Sequence, residues 1–225
     1  TGGLYVLNGT KMDMMPGVEL LRGKKVHGIG HSANQWVVAT ERDGLYLYNG
    51  KKCEPMNTPL SQYLKQTYVY CVETKGPTMA FGTVRGGLAV ANFETGERHF
   101  ANVMTGLQNN TVLSIDFDRM DNIWLGLDNG IDYVLYNSPV STIFGTSNIY
   151  GAGYASMLLG NTLLLGTNRG LYATVYPLSA AAEPAKPSSL LKSQVWSIDT
   201  LGNDVLVSSD RGLYQLRGSE ARQIS

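Results

Sequence analysis

Short apolar runs alternate with polar turns along the whole chain. The runs have the length of β-strands, are rich in β-branched and aromatic residues, and are bounded by Gly, Asn and Asp. Five of them read "WVVAT", "MAFGT", "IWLGL", "LLLGT" and "VLVSS", and each precedes a tight turn whose last glycine is followed by Leu or Ile. No stretch shows a convincing helical period, so the pattern predicts an all-β protein.

The turn glycine recurs at nearly constant spacing. It stands before Leu or Ile at Gly3, Gly44, Gly87, Gly130, Gly170 and Gly212, at intervals of 41, 43, 43, 40 and 42 residues. Most units begin with Val-x-x-Ile or Val-x-x-Val, as in Val26/Ile29 and Val69/Val72. Four short strands in a repeat of about 40–45 residues predict a β-propeller of four-stranded blades, rather than a β-helix or a β-sandwich.

The repeat divides the chain into approximate blades. We predict a partial propeller over 1–225, with a half blade at 1–20 and five full blades at 21–64, 65–107, 108–145, 146–189 and 190–225. The front half of the first blade is missing, so we expect a fragment of a larger propeller that either is closed by residues outside this sequence or stays open. A loop rich in Pro, Ala and Ser at 177–191 interrupts the fourth full blade.

Small residues and tryptophans recur in the second strand of the unit. The small residues are Ala39, Gly82, Gly126, Gly166 and Ser208, which predicts blades packed closely face to face at these points. The turn glycines are expected to have positive φ. Trp36 and Trp124 are predicted to lie in the core, whereas the role of Trp196 stays open.

Charge and composition exclude several classes of protein. The chain has 18 basic and 18 acidic residues, so it lacks the basic surface of a nucleic-acid binder and any general attraction to an anionic membrane. No apolar run is long enough for a transmembrane helix. We therefore predict no nucleic-acid partner and no direct membrane contact. Cys53 and Cys71 lack a metal-binding spacing and are expected to be free thiols.

Catalytic and metal-binding motifs are missing from the sequence. It contains no G-x-S-x-G, H-E-x-x-H or phosphate-binding loop. The three histidines are His27, His31 and His99, and the acidic cluster Asp116, Asp118 and Asp121 lacks the spacing of a calcium loop. The sequence therefore predicts no catalytic residue, no metal and no cofactor.

The unit "LQNNTVLSIDFDRMDNIWLGLDNGI", from Leu107 to Ile131, resembles the two-component regulator propeller repeat. The matching positions are Leu107, Asn110, Val112, Ile115, Asp118, Ile123, Trp124, Gly126 and Gly130. The unit departs from the family pattern at Asp121, where Gly is favoured, and at Leu127, where Thr is favoured. The other units match less fully, and the resemblance covers nearly the whole chain.

The resemblance implies a sensor. Propellers of this family form the periplasmic, ligand-sensing part of inner-membrane regulators in bacteria, including hybrid histidine kinases, and many respond to oligosaccharides. It implies three partners for this chain: an oligosaccharide or other small ligand, the remainder of the parent protein, and a second copy in a homodimer of the parent. The fragment itself would not be an enzyme, although its parent can carry a histidine kinase domain.

The turn between the second and third strands supplies one set of candidate ligand-binding residues. Its third residue is Arg in four units and Asn in the remaining one: Arg42, Arg85, Asn129, Arg169 and Arg211. Guanidinium groups present directed donors to sugar hydroxyls or carboxylates, so these residues are predicted to form an arc of donors. The alternative is that each Arg caps its own turn or bridges to the next blade.

Residues that depart from the repeat supply a second set. Tyr68 and Tyr70 stand at the start of one inner strand, and Tyr150 and Tyr154 flank a glycine-rich segment in place of another. Aromatic faces stack on sugar rings, which predicts a ligand-binding role; the alternative is packing between blades. Two other functions stay open: a scaffold that docks or dimerises proteins, and a carbohydrate-active enzyme.

Overall fold

The computed structural model describes residues 2–32, 35–136, 138, 149–176 and 187–225. Within these ranges the chain forms a series of antiparallel sheets, in most of which four consecutive strands pair in chain order. This arrangement confirms the predicted all-β fold of propeller blades. The chain divides into two compact units, Thr1–Ser141 and Thr142–Ser225.

The first unit contains a hairpin and three sheets. The hairpin is β1 (Tyr5–Asn8) and β2 (Lys11–Met14), followed by a short 3-10 helix at Glu19–Leu21. The first full sheet is β3 (Val26–Ser32), β4 (Gln35–Thr40), β5 (Leu45–Tyr48) and β6 (Cys53–Pro55). After helix α1 (Pro59–Thr67) comes the second sheet, β7 (Val69–Lys75), β8 (Thr78–Thr83), β9 (Leu88–Asn92) and β10 (Arg98–Ala101). The third sheet has β11 (Val112–Phe117), β12 (Ile123–Leu127) and β13 (Ile131–Val134).

The second unit contains two four-stranded sheets. One is β14 (Gly153–Leu159), β15 (Thr162–Thr167), β16 (Leu171–Val175) and β17 (Ser188–Leu191). The other is β18 (Val195–Leu201), β19 (Asp204–Ser209), β20 (Gly212–Arg217) and β21 (Glu220–Gln223). The boundary predicted near 145 and most of the loop predicted at 177–191 lie outside the described residues.

Apolar side chains are buried between neighbouring sheets rather than in one central core. In β4, Val37 and Ala39 pack toward the β7–β10 sheet, while Val38 packs against the hairpin side with Leu4 and Tyr48. The second strand is thus buried on both faces, which is why it reads as a continuous apolar run. In each unit the first strands of adjacent sheets lie in contact, β3 with β7, β7 with β11, and β14 with β18.

Helix α1 corrects the expectation that no helix would be found. Thr58 caps its start by accepting a hydrogen bond from the amide of Ser61 at 3.2 Å, and Pro59 occupies the first turn. Leu60 and Leu64 are one turn apart and are buried in the cluster between the first two full sheets. With only two buried leucines in nine residues, the apolar pattern is too short for a helical period to be recognised in the sequence.

Two glycine positions show why the small residue of the second strand recurs. A Cβ on Gly82 would overlap Sγ of Cys71 and lie 2.8 Å from Cγ1 of Val112 in the next sheet. A Cβ on Gly166 would lie 2.6 Å from Cγ1 of Val195, also in the next sheet. Close packing between blades therefore excludes larger residues at these points.

The turn glycines follow the prediction with one exception. Gly3, Gly44, Gly87, Gly130 and Gly212 have positive φ, but Gly170 does not. A Cβ on Gly170 would lie 2.5 Å from the carbonyl oxygen of Leu191, so lack of space explains this glycine instead.

The prediction that the two tryptophans of the second strand lie in the core is wrong. Trp36 and Trp124 are 45% and 48% exposed. Trp36 packs edge-on against His31, and Trp124 packs at a tilt against Tyr133. Trp36 lies at the exposed start of β4, before the buried residues that begin at Val37, whereas Trp124 alternates with the buried Ile123 and Leu125. Cys53 and Cys71 are free thiols, as expected, with Cys53 buried and Cys71 half-buried.

Candidate functional site

Every first strand of the five described sheets carries a β-bulge at its second residue. The residues left out of the pairing register are His27, Tyr70, Leu113, Tyr154 and Trp196. A bulge bends the strand and redirects one side chain. We call these five the bulge residues. Three of them are large aromatics with exposed surface, which is unusual for a position that repeats in each blade.

Two bulge residues of the second unit form an aromatic stack. The rings of Tyr154 and Trp196 lie with centroids 5.5 Å apart and an interplanar angle of 17°. The two residues are 49% and 52% exposed. Neighbouring inner strands thus present two nearly parallel aromatic faces to solvent.

The first unit pairs His27 with Tyr70 in the same way. Their ring centroids are 6.4 Å apart with an interplanar angle of 29°. His27 is mostly buried, and its Nε2 lies 3.6 Å from Oε2 of Glu41, whereas Tyr70 is exposed. The first unit therefore has one exposed aromatic face at this level rather than two.

The turns that carry the predicted arginines are organised by a hydroxyl. In the second full sheet, Oγ1 of Thr83 donates to the carbonyl of Gly87 at 2.9 Å and accepts from the amide of Gly86 at 2.8 Å. Thr40, Thr167 and Ser209 bond to their own turns in the same manner. The recurrent Thr or Ser thereby fixes where the following Arg leaves the backbone.

Tyr68 lies between two of the arginines. The Cζ atoms of Arg42 and Arg85 are each 4.8 Å from the centroid of the Tyr68 ring. Arg42 belongs to the turn of the first full sheet and Arg85 to the turn of the second. We call this group the Arg–Tyr–Arg stack. Such cation–aromatic contacts are attractive because the face of the ring carries negative charge density.

The end of α1 holds Tyr68 in an uncommon backbone conformation. Its φ is 60° and its ψ is 114°, and the amide donates to the carbonyl of Leu64 at 3.0 Å. Its own carbonyl accepts from the amide of Val84 at 2.9 Å. A bulky residue with positive φ is strained, and strain of this kind persists only where surrounding contacts fix the residue.

Glu41 links the Arg–Tyr–Arg stack to the bulge residue His27. Its carboxylate contacts Lys25 at 2.8 Å and Nε of Arg42 at 3.3 Å. The hydrogen bond from Lys25, supported by the nearby guanidinium of Arg42, holds the pKa of Glu41 below its ordinary value. Glu41 is therefore ionised at neutral pH and offsets part of the surrounding positive charge.

The remaining predicted site residues lie in separate surroundings. In the second unit, NH1 of Arg169 donates to the carbonyl of Ile149 at 3.3 Å, and Tyr150 packs edge-on against Tyr172 with centroids 5.0 Å apart. Arg211 is exposed on its turn, and so is Asn129 in the first unit. The structure thus brings together Arg42, Tyr68 and Arg85, and Tyr70 follows Tyr68 by two residues in the chain. The ligand-binding role of all these residues stays a prediction.

Sequence reasoning passed over His27 and left Trp196 undecided. Both stand directly after the first residue of an inner strand, the same place that Tyr70 and Tyr154 occupy. The x that follows Val in the Val-x-x-Ile motif is therefore the position to compare between units. Aligning that position alone would have identified the bulge residues as a set.

Neither a metal site nor a membrane span is seen in the described ranges. Among those residues, no group of three or more His, Cys, Asp or Glu side chains is arranged to hold a metal ion. None of the described helices is long and apolar enough to cross a membrane.

Comparisons with known proteins place the chain by its fold. No protein-family model and no curated protein matches it. Its structure is similar to the extracellular domain of the hybrid two-component system BT3049 from B. thetaiotaomicron, with a TM-score of 0.58 and 19% identity over 99% of this chain and 30% of that one. The extracellular domain of the one-component system BT4673 from the same organism gives a TM-score of 0.39 at 16% identity over 99% and 35%.

The likeness to BT3049 supports the fold that the propeller resemblance predicted. At 19% identity it establishes the architecture alone. This chain spans 30% of the length of the BT3049 domain, so it corresponds to a part of that protein.

Proposed function

We propose that this chain is part of the extracytoplasmic, ligand-sensing module of a bacterial two-component regulator, and that its ligand is an oligosaccharide. The observation that carries the proposal is the stack of Tyr154 and Trp196. Two exposed, nearly parallel rings on adjacent inner strands provide the apolar faces on which sugar rings stack.

The position of the stack favours ligand binding over a purely structural role. Aromatic residues that only hold blades together are expected to be buried, as Tyr48 is at 1% exposure. Tyr154 and Trp196 are instead half-exposed, at bulges that redirect their side chains. An apolar face open to solvent contributes binding free energy only when a ligand covers it.

The sensor role rests on the fold and on the partners that such a module needs. The similar BT3049 domain belongs to a hybrid two-component system. By analogy, the remainder of the parent protein would receive the signal, in a homodimer at the inner membrane with this module in the periplasm. No catalytic group is assigned to this chain, and its action would be binding without turnover.

Isothermal titration calorimetry against a panel of oligosaccharides tests the proposal, with product analysis of the same samples. We expect saturable heat without new products, and at least a tenfold weaker affinity in Tyr154→Ala and Trp196→Ala. One aromatic platform contributes on the order of 1–3 kcal/mol when a nucleic-acid base stacks on it, and we expect a similar contribution for a stacked sugar ring. Trp124→Ala is the matched control, since Trp124 is as exposed but lies on a second strand against Tyr133.

Each other outcome identifies a different function. Product formation would show a carbohydrate-active enzyme. Equal losses of oligosaccharide affinity in Trp124→Ala and Trp196→Ala would contradict the assignment of the site to the inner strands. Absence of binding across the panel, combined with self-association in sedimentation, would favour a scaffold.

A further inference from the structure

We propose that the Arg–Tyr–Arg stack of the first unit binds an oxyanion, a carboxylate or a sulfate group, carried by the ligand. The identity of the ligand as a sugar rests on the proposed function. The oxyanion site itself rests only on Arg42, Tyr68, Arg85 and their surroundings.

The ring of Tyr68 contacts two positively charged groups, and the negative charge around them does not balance them. Both guanidinium carbons are 4.8 Å from the same centroid, so they cannot be farther apart than twice that distance. This upper limit is comparable to the screening length of about 8 Å at physiological ionic strength, so repulsion between the two guanidinium groups is only partly screened. A bound anion would offset this repulsion and is therefore favoured.

Within the described residues, Glu41 is the one carboxylate that pairs with an arginine of the stack, and it leaves most of this charge uncompensated. Glu41 contacts Nε of Arg42, but it is shared with Lys25. Arg85 forms no ion pair within the described residues, and Lys25 adds a third positive charge beside the stack. The local sum over Lys25, Arg42, Arg85 and Glu41 is positive at neutral pH.

The two arginines also have donors to spare. Arg42 uses Nε for Glu41, while its terminal nitrogens and the whole guanidinium of Arg85 make no hydrogen bond in the described part of the chain. A guanidinium presents five donors in a rigid plane that matches the oxygens of carboxylates and sulfates. The Arg42 side chain is 66% exposed, so a ligand can reach it.

The contact with Tyr68 distinguishes Arg42 and Arg85 from isolated surface arginines. Stacking on its ring restricts both long side chains before the ligand arrives, which lowers the entropy lost on binding. The ring is fixed by the end of α1 and by the bond from Val84, at the cost of a strained backbone. By contrast, Arg211 lies on the equivalent turn without an aromatic contact in the described residues.

Titration of the intact chain with acetate and with sulfate, at constant ionic strength, tests the site directly. Side-chain Nε–Hε resonances of arginine are followed by NMR, with assignments from single variants. We expect saturable shifts for Arg42 and Arg85 with at least one of the two anions, and the anion that binds more tightly distinguishes carboxylate from sulfate. Arg42→Gln and Arg85→Gln should each weaken binding roughly tenfold, as for loss of one charge-assisted bond.

Two further variants separate positioning from charge. Arg119→Gln removes the same charge from an exposed turn of the same unit, outside the predicted ligand-binding residues, and should leave anion binding unchanged. Tyr68→Leu keeps both arginines but removes the ring, and should weaken anion binding severalfold. Shifts that do not saturate, or anion affinities that fall equally in Arg119→Gln and Arg85→Gln, would overturn the site.

The ligand is then tested with matched sugars. Oligogalacturonate is compared with its carboxyl-reduced form, and a sulfated oligosaccharide with its desulfated form. Preference for the charged member, lost in Arg85→Gln, supports the inference. Anion binding without any such preference overturns the assignment to a sugar oxyanion. Anion binding in a chain that binds no oligosaccharide at all removes the proposed function while the oxyanion site stands.

Discussion

The ring of Tyr154 lies almost parallel to the ring of Trp196, although 42 residues separate them in the sequence. The two residues occupy the same bulge position in adjacent sheets, one repeat apart. The period of the sequence and the period of the sheets therefore bring chemically similar side chains together at one level of the second unit.

Removing one ring of the stack should lower the stability of the protein only modestly. Tyr154→Ala is expected to lower the free energy of unfolding by about 0.5–1.5 kcal/mol, the value of an aromatic pair beyond its buried area. It should also increase quenching of tryptophan fluorescence by iodide, because Trp196 becomes more exposed. Tyr176→Ala is the control, since Tyr176 is similarly exposed but has no ring contact in the described residues. Equal quenching in the two variants would contradict the stack.

The hydroxyl of Thr83 should be required for the stability of its turn. Thr83→Val keeps the shape of the side chain but leaves the buried amide of Gly86 without its acceptor. We expect a loss of about 1–3 kcal/mol, the cost of a buried polar group without a partner. Denaturant unfolding measures it as a lower midpoint with unchanged slope.

Thr162→Val is the matched control for that measurement. Thr162 is an exposed threonine at the start of β15, so the same change there should alter stability by less than about 0.5 kcal/mol. A similar loss at both positions would show that Thr83 matters through strand propensity rather than through its hydrogen bonds.

The strands and their order could be predicted because one pattern repeats. Val37, Val38 and Ala39 are buried on alternating faces, so the second strand appears as an apolar run in every unit. Gly82 and Gly166 mark places where neighbouring sheets approach closely. These features follow from packing between neighbours, which is the same in each blade and is therefore visible in the sequence.

The candidate sites could be predicted only in part, because they depend on departures from the repeat. The arginines recur at one position of the turn and are therefore visible in the sequence. Their contact with the same ring depends on α1, a helix of nine residues that carries Tyr68 at its end and lies in one connection of the described residues. Trp36 and Trp196 are both exposed tryptophans in strands. One lies on a second strand and the other at a bulge, and pairing register decides which way each ring points.

Glu41 should make stability depend on pH in the acidic range. Its folded pKa is lowered from an ordinary value of 4.5, first of all by the hydrogen bond from Lys25. The unfolded chain therefore binds a proton at higher pH than the folded chain does. The contribution of Glu41 to stability is present above pH 4.5 and is lost as pH falls through the lower folded pKa.

Glu41→Gln should consequently flatten the dependence of stability on pH below 4.5. Thermal unfolding measured from neutral pH into this range provides the comparison with the unmodified chain. Glu220→Gln is the control, because Glu220 is exposed in β21 and forms no ion pair within the described ranges. If Glu220→Gln flattens the curve as much as Glu41→Gln, general charge rather than the Lys25 contact determines the acid sensitivity.

Gly82 should not tolerate even one additional carbon. A Cβ there overlaps Sγ of Cys71 and crowds Val112, so we expect Gly82→Ala to destabilise the first unit by about 1–3 kcal/mol, as overpacking does. Gly153→Ala is the control, since a Cβ on Gly153 meets no atom within 4 Å and should be neutral or stabilising.

Adding Cys71→Ala to Gly82→Ala removes the overlapping sulfur. The double variant should therefore lose less stability than the sum of the two single variants, as measured in a double-mutant cycle by chemical unfolding. Additive losses would mean that the sulfur of Cys71, the partner of Gly82 on β7 of the same sheet, does not cause the loss, and would leave Val112 of the next sheet as the crowding residue.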